Sequence, residues 1–363
     1  MGIANDDAIK QFESLMEGVD ESLKNTFENM HQGYPTETYV RFLRARDWNV
    51  EKAHKMLVDS LNWRLQNEID NILKKPIVPE ELYRKVRDSQ LVGLSGFSKE
   101  GLPVVAVGVG HSTYDKASVN YYVQSHIQMN EYRDRVVMPL ASQKCGRLVN
   151  TCIKVLDMTG LKISALNQIK LLTVITTIDD LNYPEKTDTY YIVNVPYIFS
   201  ACWKVWLLPY SFYPAKGGPF LMLCRQVVRP LLQERTRKKI QVLQGCGKDE
   251  LLKIMDYASL PHFCKREGSG SSRHSRNGTM DNCFSLDHPF HQELYSYVKQ
   301  QAAPAPPLKQ GSFHVVFPEP DPDDAKIAKT IESEFHRLED HKDQNGLVRS
   351  MSKQLSDLDI KIN

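Results

Sequence analysis

The chain has 363 residues, of which 41% are apolar and 25% charged, so it can bury a sizeable core and is long for a single domain. Lys and Arg (46) nearly balance Asp and Glu (44), and the net charge of +2 argues against nucleic acid as a partner, leaving only local basic patches. Seven cysteines, an odd count with no C-x-x-C pair, and the lack of a secretory apolar run at the start predict unpaired thiols in a reducing, cytoplasmic setting.

Residues 5–75 read as helices. In Glu37-Thr-Tyr-Val-Arg-Phe-Leu-Arg-Ala-Arg-Asp-Trp-Asn-Val, the side chains of Val40, Phe42 and Leu43 lie near one another on a helical surface, and Asp47–Asn49 form a turn. The next helix starts near Val50 and carries Ala53, Met56, Leu57, Leu61 and Arg64 at spacings of three and four. A helical N-terminal module over residues 1–78 follows. From about residue 91 the period changes. Strands are predicted at Leu102–Val107, Ile153–Met158, Tyr190–Val195 and Lys239–Leu243. Helices are predicted at Val119–Val137, at about Ile163–Leu181, from Tyr197, and at Asp249–Tyr257. Strands alternating with helices imply parallel pairing through right-handed crossovers, an α/β domain over residues 79–266. Thr189–Tyr213 is apolar, but Pro196, Pro209 and Lys204 interrupt it, so it is not read as a membrane span.

After Arg266 the composition shifts. Gly268-Ser-Gly-Ser-Ser-Arg-His-Ser-Arg-Asn-Gly reads as a linker, Ala302-Ala-Pro-Ala-Pro-Pro as a stiffer spacer, and residues 267–363 as a flexible linker and tail. One amphipathic helix is predicted within it at 323–339, with Ile327, Ile331, Phe335 and Leu338 on one stripe. An isolated helix of that length needs a partner surface, which points to a protein partner for the tail.

Enzyme signatures are absent from the sequence. Val107-Gly-Val-Gly follows a strand, but Thr113 stands where a dinucleotide fingerprint needs its third glycine. Gly245-Cys-Gly-Lys-Asp lacks the first P-loop glycine and the Ser or Thr after Lys248. No G-x-S-x-G elbow occurs, and the eleven histidines show no zinc-ligand spacing. Asp179-Asp180, late in a helix, reads as a solvated face. A chain without a catalytic group, resident cofactor or metal is the expectation.

Four stretches in chain order carry a family resemblance. Arg41-Phe-Leu-Arg-Ala-Arg-Asp-Trp-Asn-Val resembles the signature of the CRAL-TRIO N-terminal helical module. Leu156-Asp-Met-Thr-Gly-Leu resembles the D-x-x-G strand end of the CRAL-TRIO lipid domain, and Asn182-Tyr-Pro-Glu-Lys with Tyr191-Ile-Val-Asn-Val-Pro its Y-P-E-R…I-x-N-x-P segment. Leu260-Pro-x-x-Phe is similar to its closing motif, without the glycine pair that follows it there. The type most resembled is the phosphatidylinositol/phosphatidylcholine transfer proteins. The resemblance implies an N-terminal helical module followed by an α/β/α lipid-binding domain with a mostly parallel sheet. It also implies one phospholipid carried as cargo under a mobile gate helix, and transient contact with Golgi or other endomembranes.

For the headgroup, the resemblance implies Arg46, Glu185, Lys186 (a Lys where the family has Arg), Thr236 and Lys239. Lysines can neutralise a phosphodiester and Glu185 can accept from sugar hydroxyls. A second, choline-lipid site falls on Cys152 and Lys154, where a cation replaces the family's hydroxyl; an anionic lipid is therefore expected over phosphatidylcholine. Between Lys204 and Val227 lies an apolar segment, about 205–226, with three prolines and no helix or strand period. It reads either as translated intron, opening on a Val codon and closing on Gln, or as a membrane-inserting elaboration of the gate with Trp206, Tyr210 and Tyr213 as interfacial anchors. A lipid-responsive adaptor acting through the tail is the alternative to lipid transfer.

Overall fold

The structure, a computed structural model, describes residues 3–161, 168–195, 238–265, 281–304 and 314–318. Its N-terminal part consists of α1 (Ile3–Glu17), α2 (Glu21–His31), α3 (Pro35–Ala45) and α4 (Val50–Gln66). Their apolar positions recur every three to four residues and close on one core, in which Phe12, Phe42, Leu43, Ala53, Leu57 and Leu61 are fully buried. Tyr39 stacks on Phe12 and Phe27, with ring centroids 5.0 and 5.2 Å away. The predicted turn is tight: Asp47 and Trp48 take φ of 51° and 62°, and Asn49 caps α4 by accepting from the Lys52 N–H at 2.9 Å.

Helix α5 (Glu80–Ser89) leads into a five-stranded sheet of β1 (Val92–Phe97), β2 (Pro103–Gly108), β3 (Cys152–Asp157), β4 (Thr187–Val193) and β5 (Ile240–Val242), in that order. Strands β2 to β5 pair in parallel, as the alternation of elements predicts. The antiparallel edge strand β1 and helix α5 are additions to the sequence reading. Val92-Gly-Leu-Ser-Gly-Phe has too few β-branched residues to stand out, and its Gly93 is there for close approach: an added Cβ would meet the Cys283 carbonyl oxygen at 1.8 Å.

Helix α6 (Val119–Tyr132) continues through a π-helical turn, Arg133–Val137, into α7 (Met138–Cys145). Helices α8 (Ile169–Asn182) and α9 (Lys248–Ile254) follow, α9 ending before the predicted Tyr257, which begins a 3-10 turn. The two sheet faces differ. Val104, Ala106, Ile153, Val155 and Val193 are buried against Leu251, Met255, Leu260 and Phe263. The alternate residues Val105, Val107 and Leu156 are only half-buried, as are Ile240 and Val242. Among the described residues, no helix is long and apolar enough to cross a membrane.

Part of the stretch read as linker and tail is built into the core. Residues 281–304 include α10 (Pro289–Ala302), whose Leu294 and Val298 are buried in one cluster with Ile69, Ile72, Tyr83 and Tyr132. Residues 314–318 lie along α4: Trp63 Nε1 donates to the Val316 carbonyl at 3.0 Å, and the Val316 N–H donates to Asn67 Oδ1 at 2.6 Å. The period of Phe290, Leu294 and Val298 is legible in the sequence, but Gly/Ser-rich and Ala/Pro-rich runs flank it and dominate the composition. The expected helix from Tyr197, the 205–226 segment, the 268–278 linker and the 323–339 helix lie outside the described residues. If α10 is integral to the core, Leu294→Ala lowers stability by about 2–5 kcal/mol in urea unfolding; an unchanged midpoint would make it a loose appendage.

Candidate functional site

Four parts of the chain bring the predicted residues into one place. Arg46 follows the end of α3, Lys154 lies on β3, Glu185 and Lys186 form the turn from α8 into β4, and Lys239 immediately precedes β5. Together they line an open cleft with Arg133, Asp179, Asp180, Tyr183 and Tyr190. Lys154 thus joins the first group of residues instead of marking a separate second site. Cys152 is fully buried and is not among the lining residues; Thr236 lies outside the described residues.

The turn that carries Glu185 is held from behind. Glu185 takes φ 58°, a left-handed conformation that costs a non-glycine residue about 1 kcal/mol. Its neighbours offset that cost. Arg41 of α3 donates from Nη1 to the Pro184 carbonyl at 3.3 Å, and the Lys186 carbonyl accepts from the Cys152 N–H at 2.9 Å. Tyr183 donates its hydroxyl to Glu131 Oε1 at 2.7 Å. Glu131 in turn takes a bidentate grip from Arg64 of α4, Nη1 to Oε1 at 2.7 Å and Nη2 to Oε2 at 3.0 Å, and pairs with Arg135 at 2.6 Å. Burial pushes the Glu131 carboxyl up, but Arg64 and Arg135 outweigh it and hold it down at about 2.

Within the cleft, Lys239 Nζ donates to Glu185 Oε2 at 2.7 Å and to the Thr187 carbonyl at 2.8 Å. Lys186 lies 3.0 Å from Asp134 Oδ2; burial and the nearby Arg41 guanidinium lower its ammonium to about 8. Burial also works against the charge of Lys154, but Tyr190 and Asp179 more than compensate and raise it above its ordinary value. Its Nζ sits 5.6 Å from the centre of the Tyr190 ring, a cation–π arrangement. Asp179, read from the sequence as a solvated face, is instead paired: it accepts from Asn130 Nδ2 at 2.8 Å and lies 2.7 Å from His126 Nε2. A local pattern could not reveal this, because both partners come from α6.

Other motif residues are structural. Asp157 Oδ1 accepts from the Thr159 N–H at 3.0 Å and hydroxyl at 2.6 Å, and from Asn194 Nδ2 at 2.9 Å, so the D-x-x-G and I-x-N-x-P stretches fasten to one another. Gly110 of the Val107-Gly-Val-Gly run packs against that loop: an added Cβ would lie 2.1 Å from the Thr159 carbonyl oxygen. Leu260 and Phe263 of the closing motif are core residues. The sequence reading missed Arg41, Arg133 and Tyr190; the signal for Arg41 was its place in the Arg41-Phe-Leu-Arg run.

Comparison with known proteins shows what the chain is similar to. The CRAL/TRIO N-terminal domain matches residues 8–59, and the CRAL/TRIO domain matches residues 87–209. The chain is 26% identical over 243 residues to the phosphatidylinositol/phosphatidylcholine transfer protein SFH9 of Arabidopsis thaliana, covering 64% of this chain and 38% of that protein. It is likewise 26% identical to the SEC14 cytosolic factor of Eremothecium gossypii, covering 62% of this chain and 67% of the factor. The chain thus spans well under half the length of its Arabidopsis relative. The crystal structure of Sfh5 superposes with a TM-score of 0.50 at 19% identity, covering 81% of this chain and 97% of that one, a likeness of fold.

Replacing Glu131 tests the support behind the turn. Glu131→Gln leaves Arg64 buried with half its compensation and costs about 3–5 kcal/mol in denaturant unfolding. Because Glu131 is held near 2 in the folded chain against an ordinary 4.5, its contribution is present above about 4.5 and fades as the pH falls towards 2. Acid unfolding of Glu131→Gln is correspondingly shallower over that window; an identical acid limb in both proteins would contradict the assignment.

Proposed function

This chain belongs to the CRAL/TRIO family, and from that premise we propose that it binds one phospholipid of the phosphatidylinositol type and exchanges it between membranes. The observation that carries this reading is the convergence of Arg46, Lys154, Glu185, Lys186 and Lys239 on one cleft beside a half-buried apolar sheet face. Lys154 and Leu156 share a face of β3, and Tyr190 and Ile192 share a face of β4, so the polar cleft runs along the strands into apolar surface. That is the polarity of a phospholipid.

Each group has a role in this reading. Lys239 and Lys186 neutralise the phosphodiester, Glu185 accepts from ring hydroxyls, and Arg46 closes the cleft from the helical module; Thr236 is assigned to the same headgroup. Two acyl chains of roughly thirty methylenes represent on the order of 20 kcal/mol of burial, a load carried through water only inside a closed apolar cavity. Exchange then needs a gate and transient contact with a membrane, which we assign to the chain between β4 and β5. The relatives named as transfer proteins support cargo exchange without chemistry. Lys154 over the Tyr190 ring favours an anionic headgroup against choline, because the aromatic seat for a quaternary ammonium already holds a cation.

Native mass spectrometry and lipid extraction of the purified protein provide the test. Wild type co-purifies with phosphatidylinositol, whereas Lys239→Ala and Glu185→Ala lose it; lipid retained by both variants would leave a carrier with a different headgroup site. Affinity for the anionic headgroup also falls as the pH rises through about 8, where Lys186 gives up its proton. A binding titration flat between pH 7 and 9 would remove Lys186 from the site. Whether the tail serves a separate adaptor role is read by truncation after Pro318, which spares α10 and residues 314–318: transfer persists if the tail is an appendage to the carrier.

A further inference from the structure

One donor in the cleft is unused by the headgroup reading. Arg133 opens the π-helical turn after α6, is 8% exposed, and lines the cleft. Its Nε donates to Asp134 Oδ1 at 2.7 Å and its Nη1 to Asn130 Oδ1 at 3.0 Å. Its Nη2 is buried and has no hydrogen-bond partner among the described residues. A buried guanidinium nitrogen left in that state calls for an acceptor, and none of the cleft's carboxylates supplies one. π-Turns recur at functional sites because the extra residue re-aims side chains.

Lys154 is a second cation of the same cleft. It is ion-paired with Asp179 Oδ2 at 3.6 Å, beyond hydrogen-bonding distance, while His126 and Asn130 engage the other oxygen, Oδ1. Among the described lining residues, five cations (Arg46, Arg133, Lys154, Lys186 and Lys239) face three carboxylates (Asp179, Asp180 and Glu185). Counting Asp134 behind them, which Arg133 and Lys186 share, still leaves positive charge in excess. The excess has a location. Glu185 neutralises Lys239 on the β5 side, whereas Arg133 and Lys154 lie on the α6 and β3 side. Strands β3 and β5 are separated by β4, two strand spacings or about 10 Å, the scale of a six-membered ring bearing a phosphate at each end.

We propose that Arg133 and Lys154 form a second anion seat in the cleft, which takes a phosphomonoester on the ring of a phosphorylated inositol lipid. The seat rests on the headgroup reading and deepens it, from a headgroup with one phosphodiester to one carrying a further phosphate. A monoester has close to two charges and three acceptor oxygens, enough to satisfy Arg133 Nη2 and the Lys154 ammonium together.

The test uses the full chain at fixed salt and pH 7, incubated with phosphatidylcholine vesicles containing equal amounts of phosphatidylinositol and phosphatidylinositol monophosphate. Native mass spectrometry separates the loaded species by mass. Wild type is expected to load the monophosphate with a preference of about tenfold, the value of one charge-assisted contact. Lys154→Thr and, independently, Arg133→Lys bring that ratio towards one, and Arg133→Lys, outside the first headgroup set, leaves phosphatidylinositol loading within about twofold of wild type. Inositol 1,4-bisphosphate added without vesicles separates the sources. Its retention by wild type and loss in both variants would support the same seat, filled by a soluble ester. Equal loading of the two lipids by wild type, or a preference that survives both substitutions, would overturn the second seat while leaving the headgroup reading intact. No loading of either lipid would overturn the headgroup reading, and this seat with it.

Discussion

The bidentate pair between Arg64 and Glu131 joins two parts of the chain that are far apart in sequence, and the cleft depends on it. Both side chains are almost wholly buried, at 2% and 3% exposure, so neither charge has water to fall back on. Buried pairs of this kind contribute little net stability against an apolar alternative, but losing one partner is costly. Their value here is positional. Asp70 and Arg135 complete the network, and Tyr183 is tied to it through Glu131, immediately before Pro184 and Glu185. Arg41 adds a second tie from α3 to the same turn. The N-terminal helices therefore form the back wall of the cleft as well as a core of their own.

The same logic explains the distribution of charge in front of that wall. Lysines and arginines rarely occur at such low exposure without carboxylates beside them, and here each has one at hand: Lys239 with Glu185, Lys186 and Arg133 with Asp134, Lys154 near Asp179. The pairs are unequal. Glu185 and Lys239 pair at 2.7 Å, whereas Lys154 lies 3.6 Å from Asp179 and one nitrogen of Arg133 has no acceptor among the described residues. The cleft is therefore positive overall, but unevenly so. The strand alternation then places half-buried apolar residues next to it, so polar cleft and apolar surface share one sheet face.

The segment after the linker contributes in a way that composition conceals. His291 of α10 accepts from Arg87 Nη2 at 2.9 Å and donates from Nε2 to the Cys283 carbonyl at 2.9 Å, which requires the neutral ring. Burial and the adjoining guanidinium hold its pKa well below the usual histidine value. With residues 314–318 seated on α4, the chain passes back across its own N-terminal module. Gly/Ser-rich and Ala/Pro-rich flanks made this stretch read as tail, although its apolar spacing was visible.

Periodicity is a local property, and so the sequence by itself determined the helical module, the four parallel strands and the α/β order. Each needs only the spacing of apolar residues within one element and the covering of its neighbours. Arg46, Glu185, Lys186 and Lys239 came instead from the resemblance to family motifs, which are short patterns at fixed positions. The tertiary structure alone decided that these four, with Lys154, share a cleft, that Cys152 is excluded from it, and that Asp179 is paired. It also brought in Arg133 and Tyr190, and docked α10. These outcomes rest on contacts such as Arg41 with Pro184 and Arg64 with Glu131, across 143 and 67 residues. Burial turns a charge from a solvated ornament into one that must find a partner, and which partner it finds is fixed by how helices and strands cross, which no local pattern of residues records.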